Sequence, residues 1–213
     1  MIEVMMDPRL RHAGMTAPWR LVKTPPLSGA DNMRYDVHLL EGVEQGHEPP
    51  TLRFFRFNEP TVSFGRLQKH KDIDSLVPHG WSLVQRPTGG GIVFHDNDYC
   101  LSLCWPAGSS LMPKRPQDQY RWIHSVIQEA LKEEASLRMA ACCDAPQAAE
   151  PFSTRSCFTN PVGYDLLRDE KKIVGGALRC TRRGTLYQGS IQCADLSSSA
   201  EDCLAAEFKR RLS

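Results

Sequence analysis

Strand-like runs on either side of one strongly amphipathic helix predict an α+β fold: a mixed, largely antiparallel central sheet flanked by helices. Within Gln117–Leu137 the residues Trp122, Ile123, Val126, Ile127, Ala130 and Leu131 form one apolar stripe opposite Arg121, Lys132, Glu133 and Glu134. Short β-branched and aromatic runs recur before and after it, joined by links of hairpin length. The chain has 213 residues, 41% apolar and 24% charged. It is therefore long enough for a substantial core and has the composition of a globular protein.

In chain order, residues 1–17 lack periodicity and are expected to be a loose terminus, with a single domain over 18–213. Trp19–Val22 reads as a first strand, closed by Pro25-Pro26. Asp31 is placed to N-cap a helix in which Met33, Val37 and Leu40 share a face, widened by Leu39 and Val43 and ended by Gly46. Thr51–Phe57 and Thr61–Phe64, separated by Asn58-Glu59-Pro60, predict a hairpin. Trp81–Val84, Ile92–Phe94 and Cys100–Trp105 read as central strands, the last stopped by Pro106. After the long helix, Ala140–Ser156 is loop-like. Strands are then expected at Tyr164–Leu167, Ile173–Val174, Leu178–Cys180 and Leu186–Ile191, with a turn near Arg183-Gly184. Ser199 can cap a last helix, Ala200–Leu212, with Leu204, Phe208 and Leu212 on one face.

The composition also excludes classes. A net charge of +1 gives no long-range attraction to nucleic acid or an anionic membrane. No segment has the ~18 uninterrupted apolar residues of a membrane span. Met1–Met15 carries Glu3, Asp7, Arg9, Arg11 and His12 and lacks the apolar centre of a signal peptide. A cytoplasmic chain is expected, its eight cysteines free thiols. None forms C-x-x-C, and His70, His79 and His95 are scattered, so no metal site is expected. The basic run Arg66–Lys71 is either a solvated loop or a docking patch for an acidic carrier domain.

Two stretches carry chemistry. In Gln85–Asp96, Gly89, Gly90 and Gly91 lie between two strand-like runs, with Arg86 before them and His95 after. Bare backbone, a guanidinium and an imidazole would converge there on a carboxylate, phosphate or acyl carbonyl. The spacing is neither a P-loop nor G-x-G-x-x-G. In the second stretch Lys172 precedes Gly175-Gly176-Ala177, where backbone can approach a ligand closely, and Cys157-Phe158 stands upstream. Alone, Lys172 reads as a surface charge and Cys157 as packing. Their combination with the glycine loop gives them meaning.

Together these motifs resemble the lipoate/octanoate branch of the biotin–lipoate protein ligase superfamily. The resemblance runs from Trp19-Arg20-Leu21 through Asn32-Met33-…-Asp36, Thr51-Leu52-Arg53-Phe54, Ser63-Phe64-Gly65-…-Gln68, Arg86–Asp96 and Lys172–Ala177 to Gly189-Ser190-Ile191. It implies one of two chemistries. Lipoate ligases activate lipoate with ATP and Mg, and carry an Arg-Asn-Asp triplet where this chain has Asn160–Asp165. Ligase-like octanoyltransferases use no cofactor and form an acyl-thioester on a cysteine in Cys-Phe, from octanoyl-acyl carrier protein. Cys157-Phe158 before Tyr164-Asp165-Leu166, with Lys172 following at the spacing of the transferases, and the 22 residues after Ile191, too few for an accessory domain, favour the transferase.

On that reading Cys157 is the nucleophile, and Lys172 the charge that stabilises its thiolate. Arg86 and the Gly89–Gly91 amides orient the acyl or carrier-linked end, and Gly175, Gly176 and Ala177 approach it. The acceptors implied are apo lipoyl-domain proteins: a 2-oxoacid dehydrogenase acyltransferase subunit or the glycine-cleavage H protein. His95 is a general-base candidate, or a donor that fixes the loop. Gln188 stands where many relatives have histidine, and it cannot titrate. A non-catalytic module that binds lipoyl-domain proteins is the remaining alternative.

Overall fold

The structure, a computed structural model, describes residues 18–141, 158, 162–193, 196–197 and 199–213. The 1–17 terminus, nearly all of the 140–156 loop and Cys157 lie outside the described residues. In chain order come β1 (Arg20–Lys23), α1 (Gly29–Glu44), β2 (Thr51–Phe55), β3 (Thr61–Phe64), the short α2 (His70–Ile73), β4 (Ser82–Gln85), β5 (Val93–His95) and β6 (Tyr99–Pro106). Then follow α3 (Pro116–Ala130), β7 (Arg138–Met139), β8 (Leu166–Arg168), β9 (Lys171–Cys180), β10 (Gly184–Ile191) and α4 (Ala200–Arg211).

The main sheet has seven strands in the order β1-β2-β6-β10-β9-β8-β7, and a second sheet has three, β4-β3-β5. In the main sheet only β1 and β2 run parallel; the other pairs are antiparallel. The period-2 alternation of β6 builds both faces. Leu101, Leu103 and Trp105 pack in the large core with Ile123, Val126 and Ile127 of α3 and Leu204 and Phe208 of α4. Cys104 points the other way, beneath Leu39, Leu40 and Val43 of α1, and Cys100 packs with Met33 and Phe55.

Several expectations are corrected. Thr51–Phe55 and Thr61–Phe64 do not pair with each other, because β3 leaves for the second sheet and lies parallel to β4 and antiparallel to β5. The glycine loop therefore joins the two outer strands of the small sheet, and of the three strands around it only β6 is central to the main one. Ser28, not Asp31, caps α1: its Oγ accepts from the Asp31 N–H (3.1 Å) and donates to the Asp31 carboxylate (2.6 Å). The long helix stops at Ala130 rather than Leu137, and the strands expected at Ile173–Val174 and Leu178–Cys180 prove to be one continuous ten-residue strand, β9. Ser199 precedes α4 without a side-chain cap bond.

On the α1 side the sheet presents polar groups. The Asp36 carboxylate, fully buried, pairs with Arg53 of β2 (2.8 Å) and accepts from Ser102 of β6 (2.8 Å) and Gln188 of β10 (2.7 Å). Arg53 also donates to the Asn32 side chain (2.6 Å) and to Thr24 (3.0 Å), and lies 4.3 Å from the ring centroids of both Tyr35 and Phe55. One helix and three strands are thus fixed through a single carboxylate. Asp36→Ala would leave the Arg53 guanidinium buried without its counter-charge and is expected to cost about 3–5 kcal/mol. The loss is read as a lower urea midpoint at unchanged m-value; a loss under about 1 kcal/mol would show that the pair does not hold the seam.

Candidate functional site

Above this polar seam lies a narrow slot with an empty volume of about 440 Å³. Met33, Phe55, Phe57, Val93 and Phe158 form its apolar walls. The backbone of Gly175, Gly176 and Ala177 runs along one side, opposite the polar groups of Arg86, His95 and Gln188. Cross-strand register explains the polar edge. Gln188 pairs with Ala177 and Ser190 with Gly175, so the two polar side chains of β10 share a face with the small residues of β9.

The polar end is a chain of directed hydrogen bonds. Arg86 can only donate, so Ser63 Oγ accepts from its Nη1 (2.8 Å) and keeps its own proton for His95 Nε2 (2.6 Å). His95 Nδ1–H then donates to Asp98 (2.7 Å), and the ring stacks on Phe57 at 4.3 Å. Asp98 also accepts from Ser190 and from the Cys100 thiol. Burial opposes the Asp98 charge, but the adjacent His95 and these donors outweigh it and hold the carboxyl below its ordinary range. Burial, and then the Asp98 charge, push the Cys100 thiol well up. Ligand-type atoms of His95, Asp98 and Cys100 lie within 4.8 Å of one another. His70, His79 and His95 are scattered in sequence, but His95 meets Asp98 and Cys100 in space, and all three are already engaged in this hydrogen-bond hub.

The glycine loop is held from beneath. Arg86 Nη2 donates to the carbonyls of Gly89 (3.0 Å) and Gly91 (2.7 Å). Thr88 donates to Gln188 Oε1 (2.7 Å), whose Nε2 reaches Asp36, so the loop is anchored to the buried seam. Gly90 has φ 90°, and a Cβ on Gly65 would fall 2.1 Å from the Gly90 carbonyl oxygen. Of the residues expected at the site, Arg86, His95, Gly175, Gly176, Ala177 and Gln188 line the slot; Gly89, Gly90 and Gly91 do not. Arg86 braces the loop through its carbonyls, which the sequence expectation of a ligand-facing guanidinium did not include.

Lys172 sits beside the slot. Its ammonium pairs with the buried Asp165 carboxylate (2.7 Å) and lies 5.2 Å from the Phe158 ring centroid. A Cβ on Gly175 would fall 2.2 Å from Lys172 Cε and 2.6 Å from Nζ, so the bare backbone of a slot residue makes the room this side chain occupies. Asp165 is held in turn by Tyr120 Oη and the Val162 N–H (2.7 Å), and Tyr120 accepts from the Gly176 N–H (3.0 Å). Ser63, Asp98, Asp165 and Tyr120 were missed as functional residues. Ser63 and Asp165 stood in runs that carry the resemblance, without a role, and the His95-x-x-Asp98 spacing was a further readable signal. Cys157 lies outside the described residues, one position before Phe158.

An apolar slot with a hydrogen-bonded polar end and an ion-paired lysine at its side thus lies on a mixed sheet flanked by helices, the α+β architecture of the lipoate and biotin protein ligases. The chain belongs to the lipoyl protein ligase A/B catalytic-domain family, whose model matches residues 28–211. It is 34% identical over 200 residues to octanoyltransferase LipM of Geobacillus kaustophilus, covering 90% of this chain and 69% of that one. To octanoyltransferase LipM of Staphylococcus aureus it is 32% identical over 183 residues, covering 83% and 66%. The chain thus spans about two thirds of the length of these relatives. Its fold matches that of lipoate-protein ligase A bound with ATP, with TM-score 0.66 at 20% identity, covering 93% of this chain and 86% of the other.

The polar layer behind Lys172 sets a pH limit on stability. Burial, and then the Lys172 charge, press the His124 imidazole down to about 3; its Nε2 bonds Tyr187 Oη (2.8 Å) and its ring packs against Tyr120. At neutral pH it is uncharged in the folded and the unfolded chain alike. Below about 6.5 the unfolded chain takes up a proton that the folded chain refuses, so stability falls with pH. About 2 kcal/mol is expected to be lost from this group between pH 7 and 5. Urea titrations across that range should show the slope in the wild type and not in His124→Gln; equal slopes would assign the effect elsewhere.

Proposed function

We propose that this chain is an octanoyltransferase, moving an octanoyl group from octanoyl-acyl carrier protein to the target lysine of an apo lipoyl-domain protein through a thioester on Cys157. The observation that carries the assignment is the placement of Lys172 over Gly175, against the slot and beside the ring of Phe158, the neighbour of Cys157 in sequence. The octanoyltransferase relatives support the same activity. The acceptor class is the lipoyl domains of 2-oxoacid dehydrogenases or the glycine-cleavage H protein, and the setting is the cytoplasm. No helix among the described residues is long and apolar enough to cross a membrane.

In the first half-reaction the Cys157 thiolate attacks the thioester carbonyl. A C–S bond to Cys157 forms, the C–S bond to the carrier breaks, and the carrier thiolate leaves and takes up a proton. In the second, the acceptor lysine's neutral amine attacks the same carbon. An amide C–N bond forms, the Cys157 C–S bond breaks, and the amine gives up a proton. Asp165 uses one of the three N–H donors of Lys172 and fixes its position. The others serve the thiolate and the oxygen that gains charge in each tetrahedral intermediate. Apolar walls supply roughly 0.8 kcal/mol per buried methylene, or about 5 kcal/mol in favour of octanoyl over acetyl. Arg86, His95 and Gln188 hold the polar end and the glycine loop in place, His95 through Ser63 and Asp98.

Incubation with octanoyl-acyl carrier protein and no ATP, followed by intact mass, tests this. The wild type is expected to gain one octanoyl group and Cys157→Ala none. Gly175→Ala, whose new methyl displaces the Lys172 ammonium, is expected to load at least about 100-fold more slowly while remaining folded by circular dichroism. ATP-dependent attachment of free lipoate by the Cys157→Ala variant would instead establish a ligase. No transfer under either condition would leave a binding module.

A further inference from the structure

Next to the slot, and sharing Met33 and Arg86 with it, a wide groove opens to solvent between α1, the segment after β3 and the outer end of β9. Its charged rim is one-sided. Arg34, Arg66, Arg179 and His38 face Glu41 as the one acid among its lining residues. Arg34 is paired with Asp31. The guanidinium groups of Arg66 and Arg179 meet no carboxylate among the described residues, and Arg179 Nε is buried without a hydrogen-bond partner there. Leu67, 66% exposed, stands on the same rim. The chain as a whole carries only +1, so the groove concentrates positive charge that the rest of the molecule offsets.

We propose that this groove docks the acidic carrier that delivers the acyl chain, and that Arg66 and Arg179 are its anion contacts. The inference rests on the transfer reaction proposed above. The groove and the slot share Met33 and Arg86, so a carrier seated in the groove stands beside the slot that takes its acyl chain. A carrier whose prosthetic arm is attached through a phosphodiester presents anionic oxygens as well as surface carboxylates. Guanidinium groups match both in fork geometry. The acceptor, by contrast, offers a lysine that is cationic until it loses a proton, which this rim repels. Charges so placed act chiefly on association rate and lose force as salt rises.

The test measures kcat/KM for loading of the wild type, Arg66→Glu, Arg179→Glu and the double variant with two donors. One donor is octanoyl-acyl carrier protein; the other is octanoyl-pantetheine, which has neither protein nor phosphate. Each reversal is expected to lower kcat/KM with the carrier by about 10-fold or more and to flatten its salt dependence. With octanoyl-pantetheine the rates should stay within about twofold. Equal losses with both donors, or no loss with either, overturn the docking surface while leaving the reaction standing. So does normal loading with slowed transfer to the acceptor, which would give the groove to the lipoyl domain. A wild type inert toward both donors refutes the reaction, and the groove with it.

Discussion

One buried carboxylate holds the functional half of this protein together. Asp36 projects from a helix onto a sheet face that is polar where a simple core would be apolar, and four groups from three strands and a loop are organised by it, directly or through Gln188. Burying a charge is costly unless it is paired and fully hydrogen-bonded. The cost is offset here in part because both terminal nitrogens of Arg53 are bonded, to Asp36, Asn32 and Thr24, and two aromatic rings cover the guanidinium, though its Nε is buried without a hydrogen-bond partner among the described residues. The arrangement ties the glycine loop, through Thr88 and Gln188, to the buried Asp36 seam.

From that constraint the two ends of the slot acquire different characters. Near the small sheet, donors and acceptors run in one direction from Arg86 through Ser63 and His95 to Asp98, leaving little rotational freedom in any of them. Near β9, glycines remove side chains where other groups need the room: Lys172 above Gly175, and the Tyr187 side chain, whose hydroxyl would lie 2.4–2.5 Å from a Cβ on Gly176 or Gly189. A fixed polar end, an apolar middle and a lysine at the side are what an acyl-transfer site requires, because reorganisation at the moment of reaction is then small. The neutral Gln188 bridges loop and seam without a proton to gain or lose.

How much of this could be read from residues alone followed from the range of each interaction. The α+β class and the helix stripes were legible because alternation and 3.6-residue periodicity report burial locally. The assignment of Thr61–Phe64 to a hairpin failed because nothing in Asn58-Glu59-Pro60 says which sheet the next strand joins. The long helix was overextended for a similar reason: Gln128 reaches the Leu137 carbonyl (2.7 Å) and Glu134 accepts from Ser197, tertiary contacts that end the helix early. Gly175-Gly176 looked like a break in a strand and is instead an uninterrupted one, since those glycines answer to Lys172 and Tyr187 rather than to a turn. At the site, the motif residues Asn32, Asp36 and Arg53 were visible as a pattern, but their joint role emerges only when helix and sheet are packed. Ser63 stood in a motif run, but its role was hidden because its partner His95 lies 32 positions away.

The proposed transfer requires the slot to hold the alkyl chain and Lys172 to serve the reacting carbonyl. A crystal structure of the octanoyl-loaded protein tests it most directly. The alkyl chain is expected between Phe55, Phe57 and Val93, with the carbonyl oxygen about 2.7–3.1 Å from Lys172 Nζ. An alkyl chain lying outside the slot, or a carbonyl oxygen beyond the reach of that ammonium, would contradict it.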